Sequence, residues 1–382
     1  MPFDAATLIA HRALEIDASG IRKVFDLAAK LKDPINLSIG QPDFDVPQAL
    51  KDKAIAAIQA GKNRYTPTQG IAELIDPIRA QTAQTTGWDN PAILILSGTS
   101  AGLMLAMFAT LNPGDEVLCL DPFFVMYKHL PKMCGATAVG VDSYPDFQLH
   151  PDRIEAAITP RTKMLILCSP NNPTGATYTD AALQATAAIA RKHNLLVISD
   201  EIYDAFCYGP HQSIAKYLPE QCLLLKGYSK TYGMTGWRLG YAAAAGSSRA
   251  IIDQMTKLQQ YTFVCAPSMV QYAALETALT HHVDMSPYIA AYQTKRDRIL
   301  KGLSDLYEIS FPGGAFYAFP KVPTGESATD FVTRAIAKNL LIIPGNVFSD
   351  RDTHFRLSYA TSDAKLDAGI KVLRELATTG PR

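Results

Sequence analysis

The residues with the clearest chemical potential lie in one segment, where a lysine follows a short apolar stretch. Residues 226–241 are KGYSKTYGMTGWRLGY, so that Lys230 and Arg238 lie among four glycines. A lysine amine can act as a nucleophile or a general base, and an arginine can hold an anion through two parallel hydrogen bonds. A lone lysine beside glycines is most often an ordinary surface residue. The other residues of the segment therefore have to show whether Lys230 is a surface residue or a reactive one.

Two other segments place polar side chains directly after short apolar stretches. Asp200 and Tyr203 lie in SDEIY (199–203), and Asn172 lies in SPNNPTG (169–175). Taken alone, these residues are typical of a helix N-cap, a core tyrosine and a turn before proline, respectively. The carboxyl ends of parallel strands are, however, the place where α/β proteins bind their ligands. We therefore treat all three as candidate site residues.

A third candidate segment, residues 98–102 with the sequence GTSAG, supports two interpretations. Gly98, Thr99 and Ser100 lie between a predicted strand and a predicted helix, where free N–H groups and the positive end of the helix dipole favour a phosphate. The same letters match G-x-S-x-G, the pattern that presents the nucleophilic serine of many hydrolases. A hydrolase also needs an acid and a histidine, and the available histidines, none in a recognisable context, are His211, His281, His282 and His354. A serine hydrolase is therefore a remote alternative.

These segments have to be positioned by the elements around them, and short apolar strands alternate with helices through most of the chain. The pattern predicts strands at 93–96, 116–120, 136–141, 164–168, 195–199, 222–225 and 239–244. It predicts helices at 21–31 after the N-cap Ser19, at 48–60 before Gly61, at 101–111 and at 181–193. Such alternation is typical of an α/β fold, here a three-layer αβα large domain with a mainly parallel sheet.

A change of pattern after residue 283 indicates a second, smaller unit. Residues 290–305 predict a long charged helix, and GGAFYAFP (313–320) and HFRLSYA (354–360) predict strands. We expect a smaller α+β domain that is built from both chain ends. We predict that residues 1–45 form an N-terminal arm and part of the small domain. Residues 46–285 then form the large domain, and residues 286–382 form the small C-terminal domain.

The composition argues against several other classes of protein. The 382 residues are 48% hydrophobic and 19% charged, and 36 basic residues balance 36 acidic ones, which argues against disorder and against a nucleic-acid-binding surface. No apolar run approaches the roughly 20 residues of a membrane helix, and the N-terminus lacks the pattern of a secretion signal. Six cysteines without a C-x-x-C pair and eight histidines without a metal-binding spacing indicate reduced thiols and no metal site. We therefore predict a cytoplasmic protein without a metal, nucleic-acid or membrane partner.

The lysine segment resembles the Schiff-base lysine segment of the class I/II aminotransferases, which belong to the aspartate aminotransferase superfamily of fold type I. Four more segments resemble those of the family in the same order, namely LSIGQPDF, NRYTPTQG, SPNNPTG and SDEIY. The resemblance extends from about residue 20 to about residue 360. It implies pyridoxal 5′-phosphate (PLP) as the cofactor. It also implies amino-group transfer between an L-α-amino acid and a 2-oxo acid, commonly 2-oxoglutarate, by a ping-pong mechanism.

The same resemblance implies a role for each candidate residue. Lys230 carries the cofactor, Asp200 pairs with the pyridine nitrogen of PLP, and Tyr203 donates to its phenolate oxygen. The implied phosphate-binding residues are Gly98, Thr99, Ser100, Arg238 and, from the neighbouring subunit of a homodimer, Tyr65. The implied substrate-binding residues are Arg356, which holds the α-carboxylate, Gly40 and Asn172, which also reaches the phenolate oxygen.

Two residues depart from the pattern of the family. Where the family often has serine or another hydrogen-bonding residue, three positions before the lysine, this chain has Gly227, so one phosphate hydrogen bond is in doubt. Phe124 replaces the Trp or Tyr that many relatives place over the pyridine ring, and it stacks without donating a hydrogen bond. A partly apolar pocket is indicated by Ile39, Phe124, Phe263 and Tyr317. The motifs leave the amino donor open, and they do not separate an aminotransferase from a C–S β-lyase or a related eliminating enzyme on the same fold.

Overall fold

The computed structural model of the chain describes residues 3–16, 31–279 and 283–379. The predicted N-cap Ser19, the helix predicted to follow it as far as residue 30, and the His281–His282 pair lie outside the described residues. Within the described ranges, no helix has both the length and the hydrophobicity that crossing a membrane requires. The six cysteines are free thiols, and three of them are buried.

The strands of the described chain are short, and seven of them form one central sheet. In chain order they are β1 (Ile35–Asn36), β2 (Ala92–Leu96), β3 (Glu116–Asp121), β4 (Thr137–Asp142), β5 (Thr162–Cys168), β6 (Leu196–Asp200), β7 (Cys222–Gly227), β8 (Gly240–Ala244), β9 (Tyr317–Ala318), β10 (Leu340–Leu341), β11 (Ile343–Pro344) and β12 (Phe355–Ser358). The central sheet has the order β2-β8-β7-β6-β5-β3-β4, and its pairs are parallel except the two that β8 makes with β2 and β7. The α/β class and the mainly parallel sheet are therefore confirmed, and the seven predicted strands agree with the observed ones to within two residues.

Alternate residues of a strand in the central sheet pack into different halves of the hydrophobic core. In β2, Ile93 and Ile95 belong to one buried cluster, whereas Leu94 and Leu96 belong to the other. Because successive side chains of a strand point to opposite faces, an apolar run of this kind needs cover on both faces of the sheet.

Helices provide this cover. In chain order they are α1 (His11–Leu14), α2 (Gln48–Gln59), α3 (Ala72–Thr86), α4 (Thr99–Thr110), α5 (Met126–Met133), α6 (Pro151–Ala156), α7 (Asp180–Lys192), α8 (Tyr228–Thr231), α9 (Arg249–Thr262), α10 (Ser268–Leu279), α11 (Ser286–Leu303), α12 (Ala328–Ala337) and α13 (Asp363–Thr378). The helices α2, α4, α7 and α11 confirm predicted ones, and Gly61 follows the end of α2 as expected. Helix α3 was not among the predicted helices, and it contains Pro77, which in a sequence pattern argues against a helix interior.

Two smaller sheets join distant parts of the chain. Ile35 of β1 pairs in parallel with Leu340 of β10, and β11, β12 and β9 form an antiparallel sheet. The strands predicted in 313–320 and 354–360 are confirmed as β9 and β12. Residues from both ends of the chain thus meet in one unit, while the domain boundaries at residues 45 and 285 stay a prediction.

The direction of the central strands decides where the candidate site residues lie. β2 is antiparallel to β8, and β8 is antiparallel to β7, so that β2 runs in the same direction as β5, β6 and β7. The carboxyl ends of these four strands therefore lie at the same edge of the sheet. Each of them leads directly into one of the candidate segments.

Candidate active site

A cavity of about 290 Å³ lies at this edge of the central sheet, and most of the predicted site residues line it. Those residues are Gly40, Thr99, Ser100, Phe124, Asn172, Asp200, Tyr203, Lys230, Arg238 and Arg356. Gly98 lies just behind this lining, against the guanidinium group of Arg238. Segments from the beginning, the middle and the end of the chain therefore meet around one volume.

Lys230 lies in α8, the short helix that follows β7. Its Nζ donates a hydrogen bond to the backbone oxygen of Gly40 at 2.6 Å, and no carboxylate of the described chain forms an ion pair with it. Burial, together with the positive charges of Arg356 and Arg238, lowers the pKa of the Lys230 amine to about 8. A lowered pKa increases the neutral fraction of the amine, which is the form that acts as a nucleophile or a base.

Asp200 is the last residue of β6, and its carboxylate is buried in the wall of the cavity. The Tyr127 hydroxyl donates to its Oδ2 at 2.7 Å, and the backbone N–H of Ile202 donates to Oδ1 at 3.3 Å. Burial raises the pKa of this carboxyl to about 6. The sequence analysis did not identify Tyr127, although one signal was available, since it follows Phe124 by three residues, about one helical turn.

Arg356, in β12, is a buried cation without a carboxylate partner among the described residues. Its Nη1 donates to Oδ1 of Asn172 at 3.0 Å and its Nη2 to the backbone oxygen of Ser38 at 2.8 Å, while its Nε has no partner there. The guanidinium carbon lies 4.6 Å from the ring centroid of Tyr317 and 4.7 Å from that of Phe348. A buried guanidinium with an unused N–H favours an anionic ligand, and its planar shape suits a carboxylate.

The N-terminus of α4 and Arg238 together form a group of hydrogen-bond donors. Thr99 and Ser100 begin α4, where a helix leaves backbone N–H groups without acceptors inside the helix. Arg238 donates to the backbone oxygen of Ser97 at 3.3 Å, and its guanidinium lies against Gly98. Donors of this kind favour a phosphate group.

Gly227, the residue that departs from the family pattern, lies in close contact with its surroundings. A Cβ atom added there would lie 2.7 Å from Cδ1 of Ile202 and 3.2 Å from Cγ2 of Thr99. A side chain at this position would therefore require Ile202 to move. Any anion bound beside Gly227 has to rely on the other donors of the cavity.

Tyr203 and Tyr317 form a pair of buried hydroxyl groups in the wall of the cavity. Their oxygen atoms are 2.9 Å apart, and burial raises the pKa of both phenols, so that both are protonated. Tyr317, Ile39 and Phe124 line the cavity, in agreement with the predicted apolar character of the pocket. Phe263 does not line it, because it follows the end of α9 on the surface and is 38% exposed.

The residue after Asp200 belongs to a buried ion cluster outside the cavity. Glu201 accepts a hydrogen bond from His211 at 3.0 Å and lies 3.5 Å from Nζ of Lys226. Burial would raise the pKa of Glu201, but Lys226 and His211 outweigh it and lower this pKa to about 2. Burial would also lower the pKa of His211, but contacts with Cys207 and Glu201 raise it to about 10. The cluster anchors the turn that follows Asp200.

The hydrolase interpretation of Ser100 has no base in this arrangement. Among the described residues that line the cavity, none is a histidine. His211 is a cation within the ion cluster, and His354 is stacked on the ring of Phe319 with its pKa lowered to about 4 by burial. Ser100 therefore lies at the N-terminus of a helix without the partners that a nucleophilic serine needs.

Tyr65 is a predicted site residue that does not line the cavity of its own chain. Its side chain is 83% exposed, on the segment between α2 and α3. It borders a separate surface depression together with Arg64, Ser97 and Phe263. This protomer therefore does not bring Tyr65 into its own cavity, and the contact with a neighbouring subunit stays a prediction.

Comparisons with known proteins agree on one family. The family model described as aminotransferase class I and II matches residues 32–373. The chain is 33% identical to the probable aspartate aminotransferase of Methanocaldococcus jannaschii, over 97% of this chain and 100% of that protein. It is also 33% identical to aromatic-amino-acid aminotransferase 2 of Thermococcus litoralis, over 96% of this chain and 98% of that protein. The solved structure of Thermus thermophilus aspartate aminotransferase with maleate shares 31% identity and has a TM-score of 0.91, covering 96% of this chain and 99% of that chain.

Proposed function

Because the chain belongs to the class I and II aminotransferases and is a transferase enzyme, we propose that it moves an amino group between an L-α-amino acid and a 2-oxo acid with PLP as its cofactor. The observation that carries this proposal is the convergence of Lys230, Asp200 and Arg356 on one cavity. None of the three has an opposite charge bound directly to it in the described chain. Groups of this kind are available for a cofactor and a substrate.

The chemistry of the lining residues fits PLP. The buried carboxyl of Asp200 can pair with a protonated ring nitrogen, and a cation beside it would lower its pKa. The guanidinium of Arg238 and the N-terminus of α4 fit a phosphate, the Lys230 amine fits an aldehyde, and the ring of Phe124 can stack on another aromatic ring. The guanidinium of Arg356, which lines the cavity without a carboxylate partner among the described residues, fits the carboxylate of a substrate.

The proposed roles follow from these positions. PLP, when bound, supplies an aldehyde that condenses with amines and a ring that accepts electrons. Arg356, held by Asn172, binds and orients the α-carboxylate of the substrate. The amine of Lys230 would take the proton from Cα of the amino donor and later release it, acting first as general base and then as general acid. The carboxylate of Asp200 would hold the ring nitrogen of PLP in its protonated form, and Tyr203 would donate a hydrogen bond into the cavity.

We propose 2-oxoglutarate as the acceptor and a ping-pong order of reaction. Of the two arginines that line the cavity, Arg238 is assigned to the phosphate, so Arg356 has to receive the α-carboxylates of the amino donor and of the 2-oxo acceptor in turn, which supports two successive half-reactions. The names of the relatives include both aspartate and aromatic amino acids, so the donor is proposed only as an L-α-amino acid. A C–S β-lyase would use the same residues.

Further parts of the proposal concern the whole chain. We propose a homodimer in which Tyr65 reaches the cavity of the neighbouring subunit, and the exposure of Tyr65 outside its own cavity supports this arrangement. The large domain at 46–285 would carry most of the cofactor site, and the small domain would contribute Arg356. A cytoplasmic location, expected from the widely spaced cysteines, completes the proposal.

A comparison of Lys230→Ala with the wild-type chain tests the proposed function. The wild type should become yellow with PLP, retain the cofactor covalently after borohydride reduction, and form glutamate from 2-oxoglutarate with at least one donor of an amino-acid panel. Lys230→Ala should lose the covalent retention and about a thousandfold in turnover, because it removes the group that moves the proton. Lys257→Ala, which changes an exposed lysine of α9, is the matched control and should behave as the wild type.

Two results would contradict the proposal. If the wild-type chain stays colourless with PLP, the proposed cofactor is wrong. If Lys230→Ala keeps full turnover, the proposed role of this lysine is wrong. Release of pyruvate and ammonia without any acceptor would favour the lyase instead.

A further inference from the structure

Tyr317 contacts two of the proposed functional groups at the same time. It lies in β9, has no exposed surface, and forms part of the cavity wall. Its hydroxyl oxygen is 2.9 Å from that of Tyr203, and its ring centroid is 4.6 Å from the guanidinium carbon of Arg356. The sequence analysis indicates Tyr317 as a residue of a partly apolar pocket, but it predicts neither of these two contacts.

The hydroxyl of Tyr317 lies in a confined space. On one side it meets Tyr203, and on the other a Cβ atom added to Gly40 would lie only 2.9 Å from it. The absence of a side chain at Gly40 is therefore what leaves room for the Tyr317 hydroxyl. The hydrogen bond with Tyr203 is the polar contact that the described structure gives to this group.

The contact between the two hydroxyl groups can be made in two directions. If Tyr203 donates to Tyr317, the Tyr203 proton points away from the cavity. If Tyr317 donates to Tyr203, the Tyr203 proton is free to point into the cavity, and the chain of two hydrogen bonds strengthens its donation. A ligand oxygen that accepts from Tyr203 therefore requires Tyr317 to be the donor in the pair.

The ring of Tyr317 has a separate effect on Arg356. Both this ring and the ring of Phe348 lie within 4.7 Å of the guanidinium carbon, so two aromatic rings contact the guanidinium group. A guanidinium on an aromatic face is stabilised by the electrons of the ring, and more strongly when both are out of water. The two rings thereby restrict the orientation in which Arg356 meets a carboxylate.

We propose that Tyr317 is a positioning residue of this site: its hydroxyl turns the Tyr203 O–H group toward the cofactor, and its ring orients Arg356 toward the α-carboxylate. The inference rests on the proposed function, because both target groups act on PLP or on an amino acid. It adds a single residue that acts on the hydrogen bond to the cofactor through its hydroxyl and on substrate binding through its ring.

Tyr317→Phe and Tyr317→Leu separate the two effects. Tyr317→Phe removes only the hydroxyl, so the pH midpoint of the absorbance change of bound PLP should rise by about half a pH unit, a roughly threefold change in proton affinity. The KM for the amino donor should stay within about twofold, because the ring that contacts Arg356 remains. Tyr317→Leu also removes the ring and should raise this KM about tenfold relative to Tyr317→Phe.

Tyr359→Phe is the matched control. Tyr359 has no exposed surface, and its hydroxyl contacts that of Tyr208 at 3.2 Å and the backbone oxygen of Ala315 at 3.3 Å, outside the cavity lining. The Tyr359→Phe variant therefore loses a comparable buried hydroxyl but leaves the contacts of Tyr203 and Arg356 unchanged. The spectral midpoint and the KM of this variant should match those of the wild type.

The outcomes separate this inference from the proposed function. If the wild type binds PLP and transfers amino groups, but Tyr317→Phe leaves the midpoint within about 0.2 pH unit, the hydroxyl role is wrong while the proposed function stands. An equal shift of the spectral midpoint in Tyr317→Phe and Tyr359→Phe would likewise overturn the role of the Tyr317 hydroxyl. The loss of any buried hydroxyl near the site would then explain both shifts. A wild type that binds no PLP would overturn both the proposed function and this inference. If Tyr317→Leu fails to fold, the spectral midpoint of Tyr317→Phe still tests the role of the hydroxyl.

Discussion

At the scale of residues, the cavity contains two charged groups, Asp200 and Arg356, that form no ion pair with another described residue. The buried carboxyl of Asp200 has the neutral hydroxyl of Tyr127 as its side-chain partner. Arg356 donates to an amide oxygen and a carbonyl oxygen rather than to a carboxylate. Buried charges without opposite charges are costly, so each of these groups lowers the stability of the empty site and favours a ligand of opposite charge.

We predict that Asp200→Asn stabilises the cofactor-free protein at neutral pH. Burial raises the pKa of Asp200 from 3.8 to about 6, so the folded state binds more protons than the unfolded state between these values. The free energy of unfolding of the wild type should therefore fall as the pH rises through this window, by about 3 kcal/mol in total. Asparagine does not ionise, so the advantage of the variant should be small at pH 4 and largest above pH 7.

Urea unfolding of the cofactor-free proteins at several pH values measures this difference. Asp253→Asn, which changes an exposed carboxyl on α9, is the control and should show no comparable pH-dependent gain. A stability difference between Asp200→Asn and the wild type that does not change with pH would show that Asp200 carries no burial penalty. The same variant should lose turnover, because it can no longer keep a proton on the ring nitrogen.

At the scale of elements, two buried glutamines hold the segment that carries Tyr65. Nε2 of Gln259, in α9, donates to the backbone oxygens of Thr68 at 2.7 Å and Ile95 at 2.9 Å. Oε1 of Gln271, in α10, accepts from the backbone N–H of Ile71 at 3.0 Å. Two helices and the edge strand β2 are thereby joined to a segment without regular structure of its own, which gives that segment a defined position.

We predict that Gln259→Leu destabilises the folded chain by about 2 kcal/mol, because one buried and one partly buried carbonyl oxygen lose their donor. Gln260→Leu provides the control, since Gln260 is the next residue of the same helix and is exposed. Chemical denaturation of both variants measures the effect. Equal stability of the two variants would mean that water replaces the lost donor, and that the glutamine does not anchor this segment.

At the scale of the whole molecule, the position of Tyr65 decides whether one protomer contains all the residues of the proposed active site. The other predicted site residues line or adjoin the cavity of the same chain, whereas Tyr65 is exposed outside it. If the sites are shared, each cavity contains Lys230 from one chain and Tyr65 from the other. Two chains with different defects can then form one intact site between them.

We predict that mixing Lys230→Ala and Tyr65→Ala chains restores activity. In a mixed dimer, one cavity carries both defects and the other carries neither. Random reassociation of equal amounts makes half of the dimers mixed, so the turnover should reach about a quarter of the wild-type value. Measurement of turnover after unfolding and refolding the mixture tests this. Activity that merely equals the mean of the two separate variants would show that the sites are not shared.

Most strands and the motif residues could be predicted because their signals are local. The apolar run of β2 and the motif around Lys230 each occupy a short continuous segment, in which residue types and spacing are visible directly. The hydrogen bond from Tyr127 to Asp200 and the contact between the hydroxyl groups of Tyr317 and Tyr203 could not be predicted in this way. An aromatic residue in a helix or a strand has the same local pattern whether it faces the core or a cavity.

By itself, the amino-acid sequence determined the α/β class, the alternation of strands and helices, and the family to which the motifs point. Only the tertiary structure decided that Arg356 meets Asn172 across 184 residues of chain, that Tyr317 joins Tyr203 to Arg356, and that Tyr65 lies outside its own cavity. The physical reason is the range of the interactions involved. Periodicity and turn chemistry act over a few residues, whereas these contacts depend on strand order and on the packing of distant segments.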